Sequence, residues 1–324
     1  MARISIVTPA RPGTRNGNRH TAGRWAGFLR DAGHRVAVRT QWDGEPCDLL
    51  LALHADRSHA SIAGFRKRFP DRSLVVTLTG TDLYRDLPKS RHARQSLQMA
   101  DRLIVLQEDA LRLLDRAARK KARVVYQSAV PALRHAPPKG RFRVSVVGHL
   151  RKEKDPFRTA LALAHLDRDL EVVQVGDALS PEMKSQALAL MKRDRRYRWL
   201  GGRSHSRTMA WIARSHLLVV SSVMEGGANV ISEAARIGTP VLASRVSGNV
   251  GMLGRNYPGY FPLFDETALA RLIGKCISNK DFAARIKRAM AARRARFAPQ
   301  AEKRALLDAL RAQLRARVKD HAAG

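Results

Sequence analysis

Short apolar runs alternate with amphipathic, helix-like stretches along almost the whole chain, and this alternation leaves few folds open. Residues 4–8, 36–39, 49–53, 74–79, 103–106 and 124–126 are mostly apolar runs of three to six residues. Runs of this length without polar alternation suit strands buried on both faces, as in a parallel sheet covered by helices. Helical patterns lie between most of them, at residues 21–32, 58–69 and 90–100. In the first, Trp25, Phe28, Leu29 and Ala32 share a face and Gly33 is a stop signal. Pro131, Pro137, Pro138 and Gly140 then break the periodicity. The pattern restarts with strands at 144–147, 172–175, 217–221 and 241–243, and helices at 157–166, 181–193, 208–214 and 229–237. From residue 267 the chain reads as wholly helical. The expectation is an α/β protein with two doubly wound, Rossmann-like domains over residues 1–138 and 139–298. A last helix within 299–324 is expected to cross back to the first domain. Such sheets hold ligands at the carboxyl ends of their strands, so a facing pair implies one cleft.

Composition narrows the partners. Of 324 residues 44% are hydrophobic, enough for full cores, yet no run reaches the roughly 18 apolar residues of a membrane span. The first residues do not read as a signal peptide. Cys47 and Cys276 are far apart and form no CxxC, which argues against a disulfide framework or zinc and for a reducing, cytoplasmic setting. Lys and Arg total 60 against 28 Asp and Glu, a formal +32 spread along the chain. Aromatics are only 6%, and no aromatic RNA-binding motif or zinc finger is present, so nucleic acid is not the expected partner. A solvated basic surface or phosphate-bearing small substrates fit the charge better.

The most specific motif follows the run 217–221. Glu225, Gly226, Gly227, Ala228 and Asn229 lead into a helical pattern, with Glu233 eight positions after Glu225. A glycine pair between a strand and a helix lets backbone amides at the helix's positive end meet a diphosphate. Glu225 at the mouth could hold sugar hydroxyls and Glu233 ribose hydroxyls; the plainer alternative is a strand–turn–helix unit with two surface glutamates.

With Gly-Gly-Ala-Asn-Val-Ile-Ser between its two acids, this element resembles the donor signature of GT-B glycosyltransferases of the GT4 type. The segment from Gly148 to Pro156 lies where that family carries an Arg/Lys diphosphate clamp. The usual arginine position holds His149, so the resemblance assigns Arg151 and Lys154 to the clamp. Gln174 and Gly176 match the next strand end, and Trp199 sits at the family's base-binding turn. By this resemblance Glu225, Lys154 and Arg151 carry catalysis, and a UDP-sugar binds Arg151, Lys154, Glu225, Gly226, Gly227, Ala228, Asn229, Glu233 and Trp199. Neither a metal nor another cofactor is implied.

The first half adds Asn16-Gly17-Asn18-Arg19-His20 after the first strand and Thr79-Gly80-Thr81-Asp82-Leu83-Tyr84 after a later one. Many GT4 enzymes carry histidine at the Thr79 position. With these segments the chain is similar to the selenosugar synthases of the selenoneine pathway, which join selenophosphate to UDP-N-acetylglucosamine. The implied acceptor residues are Gly17, Asn18, Arg19, His20, Thr79, Thr81 and Asp82. On physical grounds, Gly13 and Gly17 permit a loop close to phosphate, with Asn18, Arg19 and His20 as donors; a basic surface turn is the equal alternative. Asp82 could face the acceptor or cap the residues after it. His54 could line the cleft or pair with Asp56.

Asp167-Arg168-Asp169 spells a metal-binding string but reads as a turn between a helix and a strand. The arginine-rich stretch 301–318 is amphipathic and suits either an acidic membrane or, better, packing on the first domain. Two other readings remain open: transfer to a hydroxyl of a lipid or polysaccharide, and a basic nucleic-acid-binding protein.

Overall fold

The computed structural model describes residues 1–10 and 17–315. Gly13 and Asn16 of the glycine-rich loop, and the end of the 301–318 stretch, lie outside the described residues. The chain divides into two compact units: Met1–Gln127 together with the segment from Pro299, and Ser128–Ala298.

The first unit holds six strands: β1 Arg3–Val7, β2 Arg35–Arg39, β3 Leu49–Leu53, β4 Ser73–Leu78, β5 Arg102–Val105 and β6 Ala122–Val124. All pair in parallel, in the order β2-β1-β3-β4-β5-β6. β3 is Leu-Leu-Leu-Ala-Leu and every residue is buried. Its alternate side chains feed two cores, one on each face. Leu50 and Ala52 join Phe65, Val76 and Leu103 on one side; Leu49, Leu51 and Leu53 join Ile4, Trp25, Leu306 and Leu310 on the other. The helices Gly17–Arg30 and Pro299–Arg315 supply that second face.

The second unit repeats the plan with β7 Phe142–Val147, β8 Leu170–Val175, β9 Tyr197–Trp199, β10 Leu217–Val220, β11 Val241–Ser244 and β12 Tyr260–Phe261. Its order is β12-β11-β10-β7-β8-β9, again all parallel. In each sheet the winding direction reverses once, between β1 and β3 and between β7 and β10. The carboxyl ends of those pairs are where an open parallel sheet leaves a crevice for a ligand.

Several expectations need correction. The division falls after Gln127, not after Pro138. The proline-rich segment packs within the second unit: the His135 amide donates to Ile237 O at 3.1 Å and the Ala136 amide to Ala213 O at 2.8 Å. The helix read from residue 21 starts at Gly17, so Gly17, Asn18, Arg19 and His20 form its first turn and not a loop. β9, β12 and the helix Ser247–Leu253 did not register as elements in the sequence. Cys47 and Cys276 are free and buried, and burial pushes their thiols up to about 11 and about 12. No helix among the described residues is long and apolar enough to cross a membrane.

Candidate active site

At the reversal point of the second sheet, two loops leave β7 and β10 and are stitched together. The Val223 amide donates to Glu153 O at 2.9 Å, and Ser221 Oγ donates to Asp155 O at 2.8 Å. After β7 the chain passes Gly148 at φ +152, a short 3-10 turn at Lys152–Lys154, and Asp155 in the left-handed region at φ +42. Gly176 directly follows β8 at φ +154, and a Cβ there would collide with the Gly148 carbonyl. Only glycine lets these strand ends approach so closely.

This stitching brings Lys154 to Glu225 across 71 residues of sequence. Lys154 Nζ pairs with Glu225 Oε1, to which Ser222 Oγ also donates at 2.6 Å. Glu225 therefore does not stand open at a mouth, as the sequence suggested; it is buried, 7% exposed, with a cation as partner. The pair lines a pocket with Gly148, Ser222 and Val230. Gly226, Gly227 and Ala228 then lead into the helix Asn229–Ile237, whose N-cap is Ala228. Ala228 offers no side-chain cap bond to the first turn, where a helix carries free backbone donors and a positive end, and Val230 of that turn lines the pocket. Asn229 Oδ1 is buried without a hydrogen-bond partner among the described residues. The backbone of Gly248 leans so closely on Glu225 O that a Cβ would overlap it.

The other residues of the expected donor set are more loosely arranged. Arg151 is exposed and extended at the start of the 3-10 turn. His149, in the position of the family arginine, is tied to the end of β8, its Nδ1 accepting from the Asp177 amide at 3.2 Å. Trp199 turns its indole N–H onto Gly176 O at 2.8 Å. The Glu233 carboxylate is mostly buried, with His205 Nδ1 at 3.9 Å. Asp169 pairs with Arg141 at 2.7 Å in the turn before β8.

In the first unit, Thr79, Thr81 and Asp82 follow β4. Asp82 is fully buried and cannot meet an acceptor directly, contrary to expectation. Its carboxylate accepts the amides of Ala55 at 2.8 Å and of Asp56 and Thr79 at 3.3 Å, and faces His54 Nδ1 at 3.0 Å. His54 is thus paired with Asp82 and not with Asp56. Thr79 is buried and Thr81 half-buried. His54, Asp82 and Asp86 present possible ligand atoms within 4.8 Å of one another. Three backbone N–H groups already occupy the Asp82 oxygens, so the cluster is a hydrogen-bonded network and no metal is assigned to it.

Residues 133–294 match the family described as "Glycosyl transferases group 1". No curated protein sequence gives a match. Among solved structures, sucrose-phosphate synthase from Thermosynechococcus elongatus is similar, with TM-score 0.80, 18% identity, and coverage of 98% of this chain and 100% of that one. HepE from Anabaena, solved with UDP and glucose, gives TM-score 0.76 at 18% identity over 96% and 100% of the two chains. The lipopolysaccharide outer core galactosyltransferase WaaB gives TM-score 0.73 at 14% identity over 96% and 99%. At these identities the likeness establishes the GT-B fold.

Proposed function

This chain belongs to the glycosyltransferase group 1 family, and from that premise we propose that it transfers the sugar of UDP-N-acetylglucosamine to selenophosphate in the cytoplasm. The observation that carries the donor half is the Lys154–Glu225 pair beside the head of the helix Asn229–Ile237, at the reversal point of the second sheet. Lys154 exchanges Glu225 for the diphosphate, Arg151 adds a second cation, and the amides from Gly226 to Asn229 meet the remaining charge. Glu225, released, accepts from sugar hydroxyls, while Glu233 accepts from the ribose and Trp199 flanks the base. HepE has been solved with UDP-glucose, which supports a uridine nucleotide donor.

The acceptor half rests on the segment Thr79 to Tyr84 and on the basic first turn of the helix Gly17–Arg30, where Asn18, Arg19 and His20 meet the phosphate oxygens with Gly17, Thr79 and Thr81 beside them. The selenium lone pair forms the bond to the anomeric carbon. The carbon–oxygen bond to UDP breaks, and its electron pair leaves on the β-phosphate. Protein cations and oriented amides stabilise that leaving group, so no metal is required. A hydroxyl acceptor is the second reading, favoured by the structural likeness to a sucrose-phosphate synthase and a lipopolysaccharide outer core galactosyltransferase.

The test is UDP release from UDP-N-acetylglucosamine with selenophosphate present or absent, and mass detection of a selenium-bearing sugar. Selenophosphate-dependent release with that product is expected. Release driven by hydroxyl acceptors, with none driven by selenophosphate, would overturn the acceptor assignment.

A further inference from the structure

Two serines follow β10 directly, and each holds one side of the donor-site ion pair. Ser221 Oγ donates to Asp155 O at 2.8 Å and fixes the backbone beside Lys154. Ser222 Oγ donates to Glu225 Oε1 at 2.6 Å. Behind Ser222 the bonds continue. Its carbonyl accepts from Ser244 Oγ, at the end of β11, at 2.6 Å. Asn249 Nδ2, in the helix Ser247–Leu253, donates to Ser244 O at 3.0 Å and to Ser244 Oγ at 3.1 Å. The direction of this chain is forced. A carboxylate beside a lysine can only accept, so the Ser222 proton goes to Glu225; a carbonyl can only accept, so the Ser244 proton goes to Ser222 O. Ser244 Oγ then takes its own bond from the asparagine amide. Turned over, that amide would set its oxygen against the Ser244 carbonyl. Ser222, Ser244 and Asn249 are at most 1% exposed. Asn249 Oδ1 has no hydrogen-bond partner among the described residues. A buried polar chain left partly unsatisfied holds a core together no better than apolar side chains would. What sets this one apart is where it ends, on a carboxylate that lines the donor pocket.

We propose that Ser222, backed by Ser244 and Asn249, is the positioning residue of the donor-site glutamate, and keeps Glu225 ionised and aimed at the sugar while the diphosphate engages Lys154. The inference rests on the donor reading above and involves the second unit alone. Both side-chain bonds to Glu225 fall on Oε1, and among the described residues no hydrogen bond reaches Oε2. When Lys154 turns to the diphosphate, Glu225 loses its cation in a nearly dry site. A buried carboxylate without a donor is strongly disfavoured. The Ser222 hydroxyl is the donor that stays, because its backbone is tied from behind by Ser244. It holds Oε1, and Oε2 accepts from a sugar hydroxyl. The same helix that carries Asn249 presses the Gly248 backbone against Glu225 O, so the glutamate is held at both its main chain and its carboxylate. Ser222 acts through Glu225 and not by a contact of its own with the donor.

The experiment titrates UDP and UDP-N-acetylglucosamine by calorimetry, with no acceptor present, into wild type, Ser222→Ala, Glu225→Gln, the double variant and Ser244→Ala. Comparing the two ligands isolates the sugar. Ser222→Ala is expected to weaken UDP-N-acetylglucosamine about tenfold and to leave UDP within about twofold. The double variant loses no more sugar affinity than Glu225→Gln alone, because the serine acts through the carboxylate. Ser244→Ala shows the same selective loss, about threefold. Wild-type binding by Ser222→Ala, beside a weakened Glu225→Gln, overturns the positioning role and leaves the donor reading standing. So does a further loss of about tenfold in the double variant, which would give Ser222 its own contact with the donor. Equal weakening of both ligands in Ser222→Ala would mark a merely structural serine and overturns the role as well. Wild-type binding by Ser244→Ala overturns the part given to Ser244 and Asn249. If Glu225→Gln binds both ligands as wild type does, the carboxylate does not meet the sugar, and the donor reading falls together with the inference.

Discussion

Lys154 and Glu225 show how much rests on one ion pair in a nearly dry corner. Among the described residues Glu225 pairs with the lysine and accepts from Ser222 Oγ, and it is almost wholly buried. Taking away one member of such a pair leaves an uncompensated charge. In the proposed donor complex the same lysine meets a diphosphate, and a hydrogen bond to a charged group is worth about 1.5–3 kcal/mol, or roughly tenfold or more in affinity. UDP should therefore raise the melting temperature of wild type, and raise it less in Lys154→Ala and in Glu233→Ala. Equal stabilisation of all three proteins would remove the donor from this site. The sequence singles out both residues, Glu225 from the strand–turn–helix motif after the run 217–221 and Lys154 through the resemblance to the family's diphosphate clamp. Their pairing was not legible there, because nothing local in a sequence reports a contact 71 residues away. The same holds for His54 and Asp82, which meet at 3.0 Å, and for the neighbouring Ala55 amide, which donates to Asp82 across 27 residues. Local reading could offer only Asp56, two positions on, as the histidine's partner.

At the level of elements, long apolar runs were read well and marginal ones were missed for a physical reason. β9 and β12 have three and two residues and lie at the edges of their sheet, so neither carries a buried run. The first turn of the helix Gly17–Arg30 reads as a loop because glycine and asparagine are poor helix formers; tertiary packing of Trp25 and Leu29 outweighs their propensity. The proline-rich segment reads as a domain boundary because its prolines and glycine break the periodicity, although its backbone is docked within the second unit. Two histidines sit at that docking. His135 Nε2 donates to Ser215 O at 2.9 Å, and His216 Nδ1 accepts from the Arg143 amide at 3.0 Å. Burial holds both imidazoles below their ordinary range. The unfolded state then binds more protons near and below pH ~6.5, so stability rises with pH and is lost on acidification through that range. Between pH 7.5 and 5.5, the His135 and Ala136 amides should lose protection from hydrogen exchange, once corrected for intrinsic rates. A flat protection profile across that interval would rule this out.

Over the whole chain, sequence order and spatial order part company in the first unit. The helix Pro299–Arg315 closes a core begun by β1, so residues near opposite ends of the sequence must meet before that face of the sheet is covered. Leu306 and Leu310 are completely buried there, so these leucines of the amphipathic stripe are spent on packing. The join is specific as well as apolar. The Glu302 side chain has no exposed surface, and it accepts from Arg24 Nε at 2.7 Å and from Trp25 Nε1 at 2.7 Å. Glu302→Ala would leave the indole N–H of a buried tryptophan and a guanidinium without their acceptor. Loss of one partner of a buried pair costs about 3–5 kcal/mol, and Arg24, 24% exposed, recovers part of this from water. A loss of roughly 2–3 kcal/mol is expected, which at typical urea m-values moves the first unit's unfolding midpoint down by about 1 M. Asp308, half-exposed and paired among the described residues with Arg311 one turn on in the same helix, is the control, and its alanine variant should shift the midpoint little. Urea unfolding followed by tryptophan fluorescence, which includes Trp25, reads both variants. Equal midpoints for Glu302→Ala and Asp308→Ala would mean that the returning helix is held by its leucines alone.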